Sequence, residues 1–246
     1  HLLTLALLLC GMVMPSLQAQ PYKNPSLSPE ERTADLLQRM TLEEKIAQIR
    51  HIHSWNIFEE QELNKSKLQE FVGDLCWGFV EGFPLTGENC HRHMRHIQEY
   101  MLNHTRLGIP IFTVAEALHG SVHEGSTIYP QNIALASTFN PELAYLRATE
   151  ISKELHYQGI NQILAPCIDV VRDLRWGRIE ESYGEDPYLN GIFAYKEAKG
   201  YLDNGISPML KHYGAHGNPL GGLNLASVHC GIGELHDVYL QPFKKV

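Results

Sequence analysis

Short apolar runs alternate with amphipathic segments along most of the chain. Four runs are continuous enough to predict buried strands, over residues 76–83, 109–115, 163–171 and 206–212. The segments between them have the spacing or the end signals of helices. Because buried strands that alternate with helices pair in parallel, the pattern predicts an α/β domain built on a parallel sheet.

Capping residues locate several helix ends. A capping side chain followed by a proline, or by a glutamate three residues later, predicts helices that begin after Ser28, Thr41, Asn140 and Asp186. Glycines after the last two of these helices, Gly159 and Gly205, predict where they end. Two further helices are predicted over residues 97–106 and 234–243.

Polar residues lie at the ends of three predicted strands. Glu116 follows the strand at 109–115, Asp169 lies in the run 163–171, and Lys211 with His212 ends the run 206–212. In a barrel of βα units the carboxyl ends of the strands converge on one face, where active sites lie. In an open doubly wound sheet they line a crevice instead. No G-x-G-x-x-G follows a strand, so a nucleotide-binding fold has little support.

The segment 173–187 is dense in arginine and carboxylate and follows directly on an apolar run. Such a segment at the end of a buried strand predicts a polar site on a rigid scaffold, suited to a neutral ligand rich in hydroxyls. Arg172, Arg175 and Arg178 lie among Asp169, Asp173, Glu180 and Glu181. Some of these residues should form internal ion pairs that hold the segment rigid, and a purely structural salt-bridge network is the alternative. Trp176 either stacks on a sugar face or fills the mouth of a barrel.

The residues at the strand ends suit the same kind of ligand. The Glu116 carboxylate can accept hydrogen bonds from two neighbouring hydroxyls, and Lys211 and His212 can bind adjacent hydroxyls. The alternatives are that Glu116 is an electrostatic partner for an arginine, and that Lys211 is a structural lysine paired with a carboxylate.

Composition narrows the partners. The 246 residues are 43% hydrophobic, enough for one large domain, and the net charge of -8 argues against nucleic acid. The five cysteines include no CxxC pair, so neither a disulfide framework nor a zinc site is indicated. The run His-Arg-His-Met-Arg-His at 91–96 places its histidines on different helical faces and predicts a solvated basic face. We expect no metal and no cofactor.

The N-terminus has the features of an export signal. Residues 2–13 are nearly all apolar but too few for a confident membrane span, and Gln18-Ala19-Gln20 offers a cleavage point. The pattern predicts a signal peptide over 1–20 and a periplasmic or secreted mature domain over 21–246, without a membrane span. Cys10 makes a lipoprotein anchor a weaker alternative. The start at His1 rather than Met suggests that the upstream end is missing.

Eight short motifs occur in a fixed order between residues 36 and 243. They are LLQRMTLEEK at 36–45, RLGIP at 106–110, EALHG at 116–120, YPQ at 129–131, RWGR at 175–178, GEDP at 184–187, KHY at 211–213 and YLQPF at 239–243. Each is weak alone, but in this order and spacing they make the chain resemble the N-terminal domain of glycoside hydrolase family 3. That family contains exo-acting β-glucosidases and β-xylosidases.

The resemblance implies a fold and a set of sugar contacts. The fold would be a (β/α)8 TIM-like barrel, incomplete because the chain holds only its N-terminal portion. The pocket would hold one non-reducing-end sugar of a β-linked oligosaccharide or glycoside. By position, the residues that contact this sugar would be Glu116, Arg178, Lys211 and His212. The supporting residues would be Trp176, Glu181 and Asp169.

The resemblance also implies a retaining mechanism with an aspartate nucleophile and a separate glutamate acid/base. The family's nucleophile lies in a Ser-Asp-Trp-like segment, which this sequence lacks, and the acid/base usually comes from a following domain. We therefore expect both catalytic residues beyond Val246 and an inactive fragment. Many members place an arginine after paired glycines, where this chain has Leu223 after Gly222, so one sugar contact is in doubt. A branch that acts on N-acetylglucosaminides has an Asp-x-His dyad, which is also absent here.

The expected activity is hydrolysis of terminal non-reducing β-D-glucosyl residues. A β-xylosidase is the alternative within the family, because Glu116 replaces the aspartate of many glucose-selective pockets and would crowd a hydroxymethyl group. The RWGR motif at 175–178 favours the glucosidase. A non-catalytic sugar-binding fragment is the alternative from another class.

Overall fold

The computed structural model describes residues 20–82 and 86–246. The signal peptide predicted over 1–20 lies outside the described residues except for its last position, and so does the end of the strand predicted over 76–83. The described residues divide into two compact units, with the boundary between Ile46 and Ala47.

In the first unit, two short helices begin where the capping residues predict. α1 (Pro29–Arg39) starts after Ser28, whose hydroxyl accepts a hydrogen bond from the Glu31 amide at 3.2 Å, while the Ser28 amide donates to the Glu31 carboxylate at 2.9 Å. α2 (Leu42–Ala47) starts after Thr41, which has the same reciprocal bonds with Glu44 at 3.2 and 2.9 Å. Both predicted capping boxes are confirmed.

In the second unit, strands and helices alternate. The strands are β1 (His51–His53), β2 (Phe58–Glu59), β3 (Glu62–Leu63), β4 (Phe79–Glu81), β5 (Phe112–Ala115), β6 (Gln162–Ile163) and β7 (Ser207–Pro208). The helices are α3 (Ser54–Ile57), α4 (Lys65–Val72), α5 (Gly87–His104), α6 (Asn132–Ala136), α7 (Glu142–Gln158), α8 (Pro187–Asp203), α9 (Ile232–Glu234) and α10 (Gln241–Lys245).

The main sheet is parallel throughout and has the order β1-β4-β5-β6-β7. Its neighbours follow chain order, whereas a doubly wound sheet reverses its strand order at a switch point. The topology is therefore that of a TIM-like α/β barrel, and within the described residues the sheet has five of the eight strands of a complete barrel. β2 and β3 form a separate antiparallel hairpin.

The core lies between the sheet and the helices. Ile52 in β1 and Val80 in β4 are completely buried, in one cluster with apolar residues of α5 and α7 such as Ile97 and Ile151. Because side chains alternate along a strand, His51, His53 and Glu81 point to the opposite, inner face of the sheet. The inner face is where the polar residues at the strand ends collect.

Two strands are much shorter than the sequence predicts. The run 163–171 forms a ladder only at β6, and the run 206–212 only at β7. Pro166 lies three residues after β6 and has no amide hydrogen to donate, so the ladder does not resume there. Single bonds continue the contact, for example from the Ile168 amide to the Lys211 carbonyl at 2.7 Å. Val171, at the end of the apolar run, is buried although it lies outside the strand.

The structure confirms some of the predicted helix ends and corrects others. α8 spans Pro187–Asp203, capped by the Asp186 carboxylate, which accepts a hydrogen bond from the Leu189 amide at 2.7 Å. α7 ends at Gly159, which has a left-handed φ of +76°, but the Asn140 side chain makes no cap at its start. The helix predicted over 97–106 begins ten residues earlier, at Gly87. The one predicted over 234–243 is broken into α9, a π-turn at Leu235–Tyr239 and α10.

Candidate sugar-binding site

Glu116 and Lys211 form an ion pair between the ends of two strands. The Lys211 ammonium lies 3.1 and 2.9 Å from the two carboxylate oxygens of Glu116. Lys211 is buried, whereas 46% of the Glu116 side chain is exposed. A buried ammonium needs a counter-ion. The exposed carboxylate remains accessible from solvent, so the pair leaves Glu116 able to accept a hydrogen bond from a ligand.

His212 is held by a buried carboxylate. Its Nδ1 lies 2.6 Å from Oδ2 of Asp169, and its backbone amide donates to the same oxygen at 3.2 Å. Asp169 is 2% exposed. In the neutral imidazole, a proton on Nδ1 that points to the carboxylate leaves Nε2 as an acceptor for a ligand. Asp169 is itself buried, so its role is to orient the His212 ring.

Cys167, a neutral thiol, is a second hydrogen-bond partner of Asp169 beside His212. Its Sγ donates a hydrogen bond to Asp169 at 3.2 Å. Burial, followed by the nearby Asp169 charge, raises the pKa of Cys167 well above its ordinary value, so the thiolate does not form at neutral pH. The group Cys167, Asp169 and His212 has metal-ligand spacing. A protonated thiol is a poor metal ligand, so we assign these residues to hydrogen bonding.

Arg178 makes a two-pronged contact with Glu181. Nε and Nη2 of the guanidinium each lie 2.7 Å from one carboxylate oxygen, and this hydrogen bonding raises the pKa of Arg178. Arg175 and Asp173 form a second pair, in which Nη2 of the guanidinium lies 2.6 Å from Oδ2 of the carboxylate. Hydrogen bonding from Arg175 lowers the pKa of Asp173 to about 2. The ion pairs predicted within the segment 173–187 are present, and they fix its conformation.

Trp176 fills space instead of offering a free ring face. It is 1% exposed, and its Nε1 donates to the Asn224 side chain at 3.1 Å. His216 packs against the edge of this ring at 5.2 Å between centroids and against His212 at 4.5 Å. Trp176 therefore braces His212 through His216. Asn224 stands just after the paired glycines, and its role in holding Trp176 was not predicted.

His216 lies between Trp176 and His212 and contacts both rings. Burial lowers the pKa of its imidazole, and the charges of Asp169, Arg178 and Glu181 all act on it together with His212. The structure thus brings these four predicted residues together. Lys211 adjoins His212 in the chain and connects the cluster to Glu116. His216 lies in a Gly-Ala-His-Gly run at 214–217, and it is not among the site residues predicted from the sequence.

A cleft of about 520 Å³ opens beside Glu116 at the carboxyl ends of the first strands. It is lined by His53, Trp55, Glu81, Gly82, Val114, Ala115, Glu116, Val122, His123 and Leu164. Of these residues only Glu116 is predicted from the sequence as a binding residue, and His53 escapes prediction because it lies in β1, which no predicted strand covers. The signal was present, since His-Ile-His at 51–53 alternates polar and apolar side chains as a half-buried strand does.

The histidine-rich run on α5 differs from the prediction. His91 and Arg95 are exposed, as expected for a solvated basic face. His93 is instead 2% exposed and packs edge-on against Phe58 at 5.0 Å. The hairpin of β2 and β3 covers this side of α5, so the face is only partly solvated.

Of the helices in the described ranges, 20–82 and 86–246, none is both long and apolar enough to cross a membrane.

Known proteins resemble the chain over most of its length. A family model described as the glycosyl hydrolase family 3 N terminal domain matches residues 41–246. A periplasmic β-glucosidase from Salmonella typhimurium is 31% identical over 243 residues, which cover 94% of this chain and 30% of the relative. A β-xylosidase from Formosa agariphila is 35% identical over 153 residues, which cover 56% of this chain and 21% of the relative.

The fold also matches solved structures. A β-glucosidase from Listeria innocua in complex with glucose superposes with a TM-score of 0.74 and 30% sequence identity, over 89% of this chain and 31% of that one. The chain spans about a third of the length of the curated relatives it matches. These relatives are glycoside hydrolases. Because the family model covers most of the sequence, the chain belongs to glycosyl hydrolase family 3, through the N-terminal domain of that family.

Proposed function

We propose that the chain forms the pocket for the terminal sugar of a retaining exo-β-glucosidase. The reaction would be hydrolysis of terminal non-reducing β-D-glucosyl residues from oligosaccharides or glycosides. The observation that carries this proposal is the Glu116–Lys211 pair, in which an exposed carboxylate and an ammonium lie together at the carboxyl edge of the sheet beside a cleft.

The charges of the site suit a neutral ligand. Each cation has a carboxylate partner, Lys211 with Glu116 and Arg178 with Glu181, so the paired side chains carry no excess charge. A sugar hydroxyl can donate to Glu116 and accept from Lys211 or Arg178, while His212 Nε2 accepts from another. Hydrogen bonds to charged groups contribute about 1.5–3 kcal/mol each, enough to select a defined pattern of hydroxyls.

The chemical step would use residues from outside these 246. A retaining glycosidase needs a carboxylate nucleophile and a second carboxyl group as acid/base, about 5–5.5 Å apart. The carboxylates of the site described above are engaged in pairs with cations or with His212, and the sequence has no Ser-Asp-Trp segment. We propose that a longer polypeptide supplies both catalytic groups and that this chain alone does not turn over substrate.

A β-xylosidase is the second candidate. Glu116 has one methylene more than the aspartate of many glucose-selective pockets, so its carboxylate reaches further and would crowd a hydroxymethyl group. The similarity to a protein named β-xylosidase also supports this candidate. Turnover of nitrophenyl β-glucoside and β-xyloside by the full-length protein separates the two. A clear preference for the xyloside would reject the glucosidase.

A non-catalytic sugar-binding protein is the candidate from another class. Calorimetric titration of the full-length protein with glucose should release heat under either proposal. Sugar binding without turnover of any nitrophenyl glycoside would favour the binding protein. Binding of neither glucose nor xylose would reject the sugar pocket itself.

We also propose that the protein is exported. The apolar segment at 2–13 and the cleavage point near Ala19 support this, and a relative is named a periplasmic β-glucosidase. N-terminal sequencing of protein recovered from the periplasm or the medium should find a new end near residue 21. An uncleaved protein confined to the cytoplasm would reject export.

A further inference from the structure

Two histidines and a glutamate converge on the inner face of the sheet. His51 and His53 are two residues apart in β1 and therefore point to the same side. Glu81 in β4 is the direct register partner of His53. The Nδ1 atoms of His51 and His53 lie 3.5 and 3.1 Å from the same Glu81 oxygen, Oε1. All three potential ligand atoms lie within 4.8 Å of one another.

We propose that His51, His53 and Glu81 bind a divalent transition metal of the zinc type. The sugar site described above does not use His51, and the proposal does not depend on the hydrolase activity. Its basis is the spacing, chemistry and rigidity of these three side chains.

The spacing fits a coordination shell. Two ligands at about 2.0–2.2 Å from Zn²⁺ in tetrahedral geometry lie about 3.3–3.6 Å from each other. The observed distances from the Glu81 oxygen to His53 and His51, 3.1 and 3.5 Å, are close to this separation. Both are longer than the 2.7–2.9 Å typical of a charge-assisted hydrogen bond. A metal ion between the three atoms needs only small side-chain movements.

The donor set selects the class of metal. Imidazole nitrogen combined with one carboxylate suits zinc, cobalt, nickel or ferrous iron, whereas calcium and magnesium prefer a shell of oxygens. Three protein ligands leave at least one position for water or another ligand. His53 and Glu81 line the cleft that also contains Glu116, so this open position faces the cleft.

The scaffold holds the three side chains in place. All lie on two strands that are hydrogen-bonded to each other, and the intervening Ile52 and Val80 are fully buried. The rings are also fixed by neighbours, since His53 stacks on Trp55 at 4.1 Å and His51 packs edge-on against Phe79 at 5.6 Å. Ligands with little freedom lose little entropy when they bind a metal.

The test is metal binding by the full-length protein, prepared without a histidine tag and stripped with a chelator. Calorimetric titration with Zn²⁺ alone should show one binding site. The affinity of this site for Zn²⁺ should fall at least 10-fold in both His53→Gln and Glu81→Gln. The matched control is His91→Gln on the exposed face of α5, which should bind as the unchanged protein does. Equal affinity in all four proteins, or no Zn²⁺ binding, would overturn the proposal.

A spectroscopic measurement on the unchanged protein covers the case in which a variant fails to fold. Loading with Co²⁺ alone should give the visible absorption of a four- or five-coordinate ion, and X-ray absorption should find nitrogen and oxygen neighbours without sulfur. Sulfur in the shell would place the metal at a cysteine, for example in the Cys167 group, and would overturn the assignment.

Discussion

The Lys211 ammonium lies 2.9 Å from a carboxylate oxygen of Glu116, although the two residues are 95 positions apart in the sequence. Glu116 follows β5 and Lys211 follows β7, and β6 lies between these strands in the sheet. The pair therefore spans a strand at the carboxyl edge. In a parallel sheet whose strands follow chain order, the carboxyl ends of β5 and β7 lie at the same edge, which brings the two residues together.

Removing the ammonium should weaken sugar binding. In Lys211→Met the stem of the side chain is kept, but Glu116 loses its partner and the sugar loses a charged donor. In the full-length protein we expect kcat/KM for the preferred nitrophenyl glycoside to fall about 10–100-fold, which corresponds to about 1.5–3 kcal/mol for a hydrogen bond to a charged group. The control is Lys199→Met on α8, which breaks an exposed pair with Asp203 and should leave kcat/KM unchanged. Equal effects of the two substitutions would contradict the assignment.

Glu181 should act through Arg178. Its carboxylate holds the guanidinium by two bonds of 2.7 Å, so Glu181→Gln should let the arginine move and weaken substrate binding. We expect KM to rise about 10-fold, the equivalent of about 1.4 kcal/mol. The matched substitution is Asp173→Asn, which releases the exposed Arg175 instead. It should change KM less than twofold. A larger effect from Asp173→Asn would show that segment rigidity, not Arg178, determines binding.

The sequence predicts where helices begin and end better than it predicts the strands of the sheet. Asp186 and Gly159 mark helix ends because capping and left-handed φ are local properties. β1 escapes prediction because two of its three residues are histidines, which are polar on the inner face. The pairing partners of a strand lie far away in the sequence, and its hydrophobicity alone does not reveal them.

The same distinction applies to the site. Glu116, Lys211 and His212 could be named because they stand at predicted strand ends. The partnership of His212 with Asp169, and of Trp176 with Asn224, depends on contacts between residues more than 40 positions apart. No local pattern contains such a contact. Residues that brace a site from a distance therefore become visible only in the fold.

His123 should make stability fall in mild acid. Burial lowers the pKa of its imidazole below the ordinary value of 6.5, and a weaker hydrogen bond with Gln158 acts in the opposite direction. Below about pH 6.5 the unfolded chain binds a proton that the folded chain resists, so stability is full above this pH and declines as the pH falls. The Tm measured from pH 7.5 to 5 should decline less in His123→Gln than in the unchanged protein. The exposed His229→Gln should follow the unchanged protein; identical slopes in all three would contradict the prediction.

The 246 residues expressed by themselves should self-associate. β1 and β7 are the edges of the described sheet, and Phe112 on its inner face is 44% exposed. Unpaired strand edges and exposed apolar surface promote association. Analytical ultracentrifugation should show oligomers that decrease in Phe112→Ser but persist in Tyr188→Ser, which alters an exposed aromatic residue of α8. A monomer with a cooperative thermal transition would contradict this expectation.

Arg147 and Glu197 tie α7 to α8 inside the core. The guanidinium lies 2.6 Å from the carboxylate, and the side chains are 4% and 0% exposed. Tyr183 donates a hydrogen bond to the same Glu197 oxygen, and Arg147 also binds the Pro130 carbonyl at 3.0 Å. Arg147→Met would leave the carboxylate buried without its counter-charge, a change that costs about 3–5 kcal/mol.

The double substitution Arg147→Met with Glu197→Gln tests this explanation, because it removes the uncompensated charge as well as the pair. We expect the single variant to lose most stability and the double variant to recover part of it, as for groups in direct contact. Thermal unfolding of four proteins, the unchanged one, Arg147→Met, Glu197→Gln and the double variant, gives the comparison. If the losses of the two single substitutions simply add in the double variant, the ion pair does not stabilise the fold in this way.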